Sequence, residues 1–343
     1  MPALGRFDEY QRRHPVVGFP IAVVYKYFDD QGNYLAALMT YYAFIGTFPL
    51  LLIGSSILGF VLQNDDGLRD QVLDSALSNF PVIGEELGRP GGLTGSASAI
   101  VVGLALSLYG GINVALAAQN AMNVAWALPR NSRPNPIAAR VRAVLLLLTG
   151  GIGVLVVTGI SIAGSNADEL GIEIGRISWL VTASTAVVTA AVFVFVFRHA
   201  TPRNLSRRDV LPGAIAVGIL WHLLQLGGSA FVGGVVANST ATNGVFALVL
   251  GLVAWLFLVS VTVIMSVEIN VVRTERLYPR ALLTPFTDAV DLTEADRRAY
   301  SAYAAAQRTK GFAHVEVRFD DDGQHASARR QANGADTKPE TGA

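Results

Sequence analysis

The sequence predicts an all-α integral membrane protein. It has six transmembrane helices with both termini cytoplasmic, an interfacial N-terminal helix and an external amphipathic helix. Three observations carry this reading. The chain of 343 residues is 52% hydrophobic and only 15% charged, where soluble domains carry about 25% charge, and its mean hydropathy is +0.43. Six apolar stretches lie at 35–62, 97–121, 141–163, 179–197, 210–232 and 245–272, each near or above the about 20 residues that cross a bilayer. Finally, basic residues alternate from one connection to the next, as cytoplasmic and external loops do.

The elements follow in order. Residues 1–34 form a cytoplasmic segment. Within it, 15–34 mix Val, Ile, Phe and Tyr with Lys26, Asp29 and Asp30 and read as an interfacial helix leading into the first span. The transmembrane domain occupies 35–272. Its opening run, TYYAFIGTFPLLL at 40–52, is a membrane entry with Tyr41 and Tyr42 near the interface. Gly46, Pro49 and Gly54 are tolerated there because neighbouring groups can re-satisfy a loosened helix backbone. In the first external loop, Leu73, Leu77 and Phe80 recur at helical spacing with Asp70 and Asp74 elsewhere on the turn. Residues 68–80 therefore read as an amphipathic helix or as an ordinary ordered loop. The last segment, 273–343, is a cytoplasmic tail. Thr293-Glu-Ala-Asp296 caps a short helix running to about Gln307, 315–319 is a candidate lone strand, and the polar stretch beyond Asp320 is expected to be disordered.

Orientation rests on Lys and Arg. The N-terminal segment has Arg6, Arg12, Arg13 and Lys26, and the second connection has Arg130, Arg133, Arg140 and Arg142. The fourth has Arg198, Arg203, Arg207 and Arg208, and the tail is basic again. The first connection has Arg69 and Arg89 among six acids, the third only Arg176, and the fifth none. This alternation places both termini inside. The islands at 129–134 and 203–209 serve as orientation signals and can also touch anionic lipid headgroups. No apolar run with a small-residue cleavage site opens the chain, so no removable signal peptide is expected.

Polar groups in spans are expensive and mark candidate sites. Glu268, in SVEIN at 266–270, is the only acid in the six stretches. It reads either as a structural lock with an arginine such as Arg142 or Arg198, or as a proton or cation site. The second span ends with Asn113, Gln119, Asn120 and Asn123. Asn113 and Asn120 share a face two turns apart. These amides either join helices or line a polar groove. His222 and Gln225 lie three apart on the fifth span, and Asn270 follows Glu268. Glycines such as Gly227 and Gly228 suit close helix packing. No cofactor is expected. There is no cysteine, no histidine–carboxylate set at metal spacing, and no phosphate-loop, nucleophile-elbow or dinucleotide motif. Zero net charge offers no reason to expect nucleic acid as a partner.

The stretches LAALMTYYAFIGTFPLLL (35–52), AAQNAMNVAW (117–126), the Arg-containing loop after it and WLFLVSVTVIMSVEIN (255–270) carry a resemblance. Over roughly 15–275 the chain resembles the YihY/BrkB family of bacterial inner-membrane proteins, once labelled ribonuclease BN, and its YhjD-like branch. The matching positions are Tyr41, Tyr42, Pro49, Asn120, Asn123, Glu268 and Asn270. The resemblance implies a bacterial plasma-membrane location and a role in envelope integrity. It also suggests transport, with membrane lipids or lipid-linked envelope precursors as cargo. The expected function is thus a transporter or flippase-like carrier. The alternatives are a non-transporting scaffold for envelope proteins and, further off, an ion or proton antiporter driven by Glu268. No enzyme is expected, ribonuclease included. The oligomeric state is open.

Overall fold

A computed structural model describes residues 2–61, 97–165, 174–235, 241–287 and 290–319. Among these residues the secondary structure is helical, with no strand. In chain order the helices are α1 (Pro2–Arg13), α2 (Pro15–Asp29), α3 (Gly32–Val61), α4 (Ala97–Ala125), α5 (Pro136–Ser165), α6 (Ile174–His199), α7 (Arg207–Val235), α8 (Ala241–Thr274) and α9 (Glu294–Ala306).

Each predicted span falls on one of the helices α3 to α8. Among the described residues, five stretches are long and apolar enough to cross a membrane: Val101–Ala125, Pro136–Gly164, Trp179–His199, Arg207–Gly228 and Val249–Thr274. The helix of the first predicted span, α3, is 30 residues long and carries no charged residue. The predicted amphipathic helix at 68–80 and the tail beyond 320 lie outside the described residues. The predicted lone strand at 315–319 does not form, as that stretch has no regular structure. With no second strand beside it among the described residues, the alternation there has no ladder to join.

The chain divides into two compact units. One gathers Met1–Tyr25, Ala127–Ser132 and the residues from Val272 onward. Its organiser is Asp296. Thr293 caps α9 through a capping box, its hydroxyl accepting from Asp296 N while the Asp296 carboxylate accepts from Thr293 N, as the sequence predicts. That carboxylate also receives Arg280 Nε at 2.6 Å and Ala281 N at 2.9 Å. Asp8 of α1 accepts from Leu282 N at 2.9 Å, and Gln11 donates to Arg280 O at 2.6 Å. The N-terminal segment and the start of the tail thus fold as one body.

The other unit is Lys26–Trp126 with Arg133–Val271. Here α3 packs on α4, α4 on α5, α5 on α6 and α6 on α7. Backbones approach closely where small residues meet. A Cβ placed on Gly110 would stand 2.5 Å from Gly46 Cα, so the α3–α4 crossing requires glycine. Gly228 lies against the Trp255 ring, while Gly227 faces open space. Of the expected packing pair, then, one member is used. An apolar cluster of Tyr27, Ala36, Met39, Ala117, Ala121 and Ile264 ties α2, α3, α4 and α8 together.

Candidate functional site

The densest polar feature of the larger unit begins at the end of α2. Ala22, Val23, Lys26 and Tyr27 form its buried face, while Val16, Val24 and Phe28 are exposed. Lys26 is 2% exposed. Its ammonium pairs with Asp30 one turn on and donates to Ala125 O, the last residue of α4, at 2.9 Å. A cation on the terminal carbonyls of a helix is favoured by their unpaired lone pairs. Glu268 Oε2 of α8 lies 3.6 Å from the same ammonium, with Glu268 fully buried. The acid singled out from the sequence is therefore paired, but with Lys26 rather than Arg142 or Arg198. The reason is geometric: α2 turns its lysine inward.

The cluster holds one cation and two carboxyl groups. The Asp30 and Glu268 carboxyls interact directly as well as through Lys26. Neither Glu268 oxygen accepts a hydrogen bond among the described residues. Burial pushes the pKa of Asp30 up, and Lys26 pulls it part of the way back. The Tyr27 hydroxyl donates to Asn33 Oδ1 at 2.8 Å; burial and the Glu268 charge raise its pKa. Two carboxylates facing one ammonium carry a net negative charge, and charge is costly away from water. One proton shared between the carboxyls makes the cluster neutral. Chemically it can hold an exchangeable proton or a small cation.

The other predicted residues scatter. Asn113 donates to Tyr109 O of its own helix at 2.7 Å. Gln119 donates to Ala139 O at 3.0 Å, Asn120 accepts from Arg133 at 3.2 Å, and Asn123 accepts from Thr201 at 3.1 Å. These amides reach α5 and the two connections that flank it and α6. Asn270 accepts from Gly213 N at 2.7 Å, locking α8 to α7. His222 is exposed and Gln225 half-buried on α7. Tyr41 is exposed, whereas Tyr42 packs on the Tyr27–Met39 cluster. Pro49 lies inside α3, half-buried. Sequence reasoning missed Lys26 and Asp30 as site residues. Their signal was a lysine within an apolar helix with a carboxylate four residues on.

A separate cavity of about 240 Å³ lies among α5, α6, α7 and α8, lined by residues including Val154, Val157, Val192, Phe193, Trp221 and Val263. No charged side chain lines it. Dry cavities of about 150 Å³ already accept apolar guests. Among the described residues no three His, Asp or Glu side chains gather as metal ligands.

Long apolar helices, small-residue crossings and a sealed charge cluster define a polytopic membrane protein. Residues 23–288 match the family described as virulence factor BrkB, and the chain belongs to that family, the YihY/BrkB group. It is also similar to inner membrane protein YhjD of Escherichia coli (strain K12), at 31% identity over 109 residues, 31% of this chain and 32% of that protein. The chain thus spans about a third of that relative. No solved structure matches.

Proposed function

We propose that this protein is a flippase-like carrier of a lipid or lipid-linked envelope precursor in the bacterial inner membrane, with six spans and both termini cytoplasmic. The observation that supports it is the apolar cavity among α5–α8. It has no charged lining and is bounded by four helices apolar enough to cross a bilayer, which suits an acyl chain. The E. coli relative is named an inner membrane protein, in keeping with the location. The test is lipid analysis of protein extracted in native membrane patches, beside Gly150→Trp. Gly150 lines the cavity and a Cβ added there meets nothing within 4 Å, so a bulky side chain at this position is the substitution least hindered at its base. Enrichment of one acyl lipid that disappears in Gly150→Trp supports the carrier. Bulk membrane lipid in both samples refutes it and favours a scaffold.

A second reading, a proton or cation antiporter, draws on the Lys26–Asp30–Glu268 cluster. Proton-coupled flux in vesicles that is unchanged by Glu268→Gln excludes it.

A further inference from the structure

A second cavity, about 550 Å³, is polar and lies where α5, the end of α6 and the connection to α7 meet. Arg142, Arg198, Arg203, Thr201, Asn204 and Ser206 are among its lining, and no acidic residue is. We propose that this pocket is a binding site for a phosphate-type oxyanion, carried by a lipid headgroup or free in solution.

Three features support the assignment. First, the guanidinium groups are positioned rather than loose. Arg198 Nε donates to Leu205 O at 3.1 Å, and the Arg203 guanidinium lies 4.7 Å above the Trp126 ring. Second, Arg142 Nη1 is sealed from solvent with no hydrogen-bond partner among the described residues. A buried donor left unmade is a standing penalty, so this lining guanidinium is not fully committed to other protein groups. Third, the nearest carboxylate along the chain is committed elsewhere. Asp209 accepts from Ser206 N at 2.8 Å, where it caps the start of α7. The connection is held in place by the Thr201–Asn123 hydrogen bond at 3.1 Å. Planar guanidinium forks on a tetrahedral oxyanion give paired, charge-assisted hydrogen bonds. The histidine in the lining, His199, points its Nδ1 at Phe195 O, 2.8 Å away, and the site does not require its charge.

The pocket stands independently of the carrier reading. The two cavities share no lining residue, so Gly150→Trp tests the first and Arg142→Gln the second, and the two proposals fail separately.

The test is native mass spectrometry of the full-length protein in neutral detergent, with phosphatidylglycerol, phosphatidylethanolamine and inorganic phosphate as probes. Wild type should retain phosphatidylglycerol over phosphatidylethanolamine. Arg142→Gln should weaken that retention at least ~10-fold, the scale of one lost charge-assisted hydrogen bond. Arg207→Gln, outside the lining, should not. Competition by phosphate only at high concentration assigns the site to a headgroup. Arg142-dependent phosphate binding that phosphatidylglycerol does not displace assigns it to the free anion. Equal binding by wild type and Arg142→Gln for both probes, or an equal loss in Arg207→Gln, overturns the proposal. If Arg142→Gln does not fold, Arg203→Gln on the exposed connection gives the same reading.

Discussion

Both compact units bury an ion pair, and the two pairs are built differently. In the unit that joins the N-terminal segment to the residues after Val272, Arg280 and Asp296 meet at 2.6 Å with neither side chain exposed. The Asp296 oxygens also take Ala281 N, Thr293 N and the Thr293 hydroxyl. In the larger unit, Lys26 faces two carboxyls, and Glu268 accepts no hydrogen bond among the described residues. A carboxylate with both oxygens engaged fixes one geometry, even though Arg280 Nη1 has no hydrogen-bond partner among the described residues. An under-satisfied pair with one acid in excess retains a choice of protonation state. The difference separates a lock from a candidate working group.

The largest expected effect comes from breaking the lock. Asp296→Ala removes the carboxylate that faces the buried Arg280 guanidinium and removes the α9 capping box. Losing one partner of a buried pair costs about 3–5 kcal/mol. Thermal unfolding in detergent should show this as a large drop in midpoint. A drop as small as that of a surface substitution would mean the pair is exposed to water.

Lys26→Met should come next, with a pH signature that Asp296→Ala lacks. The folded pKa of Asp30 is raised by burial, and Lys26 is what opposes the rise. A raised folded pKa stabilises below the group's ordinary value of about 3.9, and that benefit fades as pH rises through the folded value. Removing the ammonium pushes the folded value further up. The variant should therefore be more stable, relative to wild type, at pH 5 than at pH 8. Equal deficits at both would show that the carboxyls do not share the lysine. Glu268→Gln, which removes the excess charge, should be close to neutral in stability, in contrast with Asp296→Ala.

Glycines provide a mid-sized contrast within the larger unit. Gly110→Ala sets a Cβ against the Gly46 backbone at 2.5 Å, whereas Gly150→Ala meets nothing within 4 Å. Overpacking of this kind costs about 1–3 kcal/mol. Melting curves should show a loss for the first and none for the second.

Much of this molecule is legible from sequence because the bilayer imposes length. The runs at 141–163 and 245–272 fall within α5 and α8, and Thr293 and Asp296 cap α9 as their spacing requires. Glu268 stands out because an acid in an apolar run needs a reason. Its partner does not, because periodicity shows that α2 is a helix but not which face turns inward. Lys26 therefore reads as one more basic residue of a cytoplasmic segment. The apolar cavity leaves no mark at all, and the polar one only the basic island at 203–209, which reads as an orientation signal or a headgroup contact and not as a pocket wall. Their walls come from distant helices, and valine or arginine at a wall position looks like valine or arginine anywhere else.

The smallest effect tests how well burial sorts polar residues that the sequence treats alike. Asn270 is 1% exposed and takes Gly213 N at 2.7 Å; a Cβ on Gly213 would strike Ser266 O, so α7 and α8 nearly touch there. Asn270→Ala strands a buried donor, a loss of about 1–3 kcal/mol. His222 sits on the same helix as Gly213 but is exposed. His222→Phe should change the melting midpoint by no more than a surface substitution does, within about 0.5 kcal/mol, and should leave lipid retention unaltered. If His222→Phe instead matched Asn270→Ala, the exposed face of α7 would have to be covered in the membrane, by a second copy of the chain or by a bound partner. The contrast between a lock and a working group would then extend to a surface that a single chain leaves open.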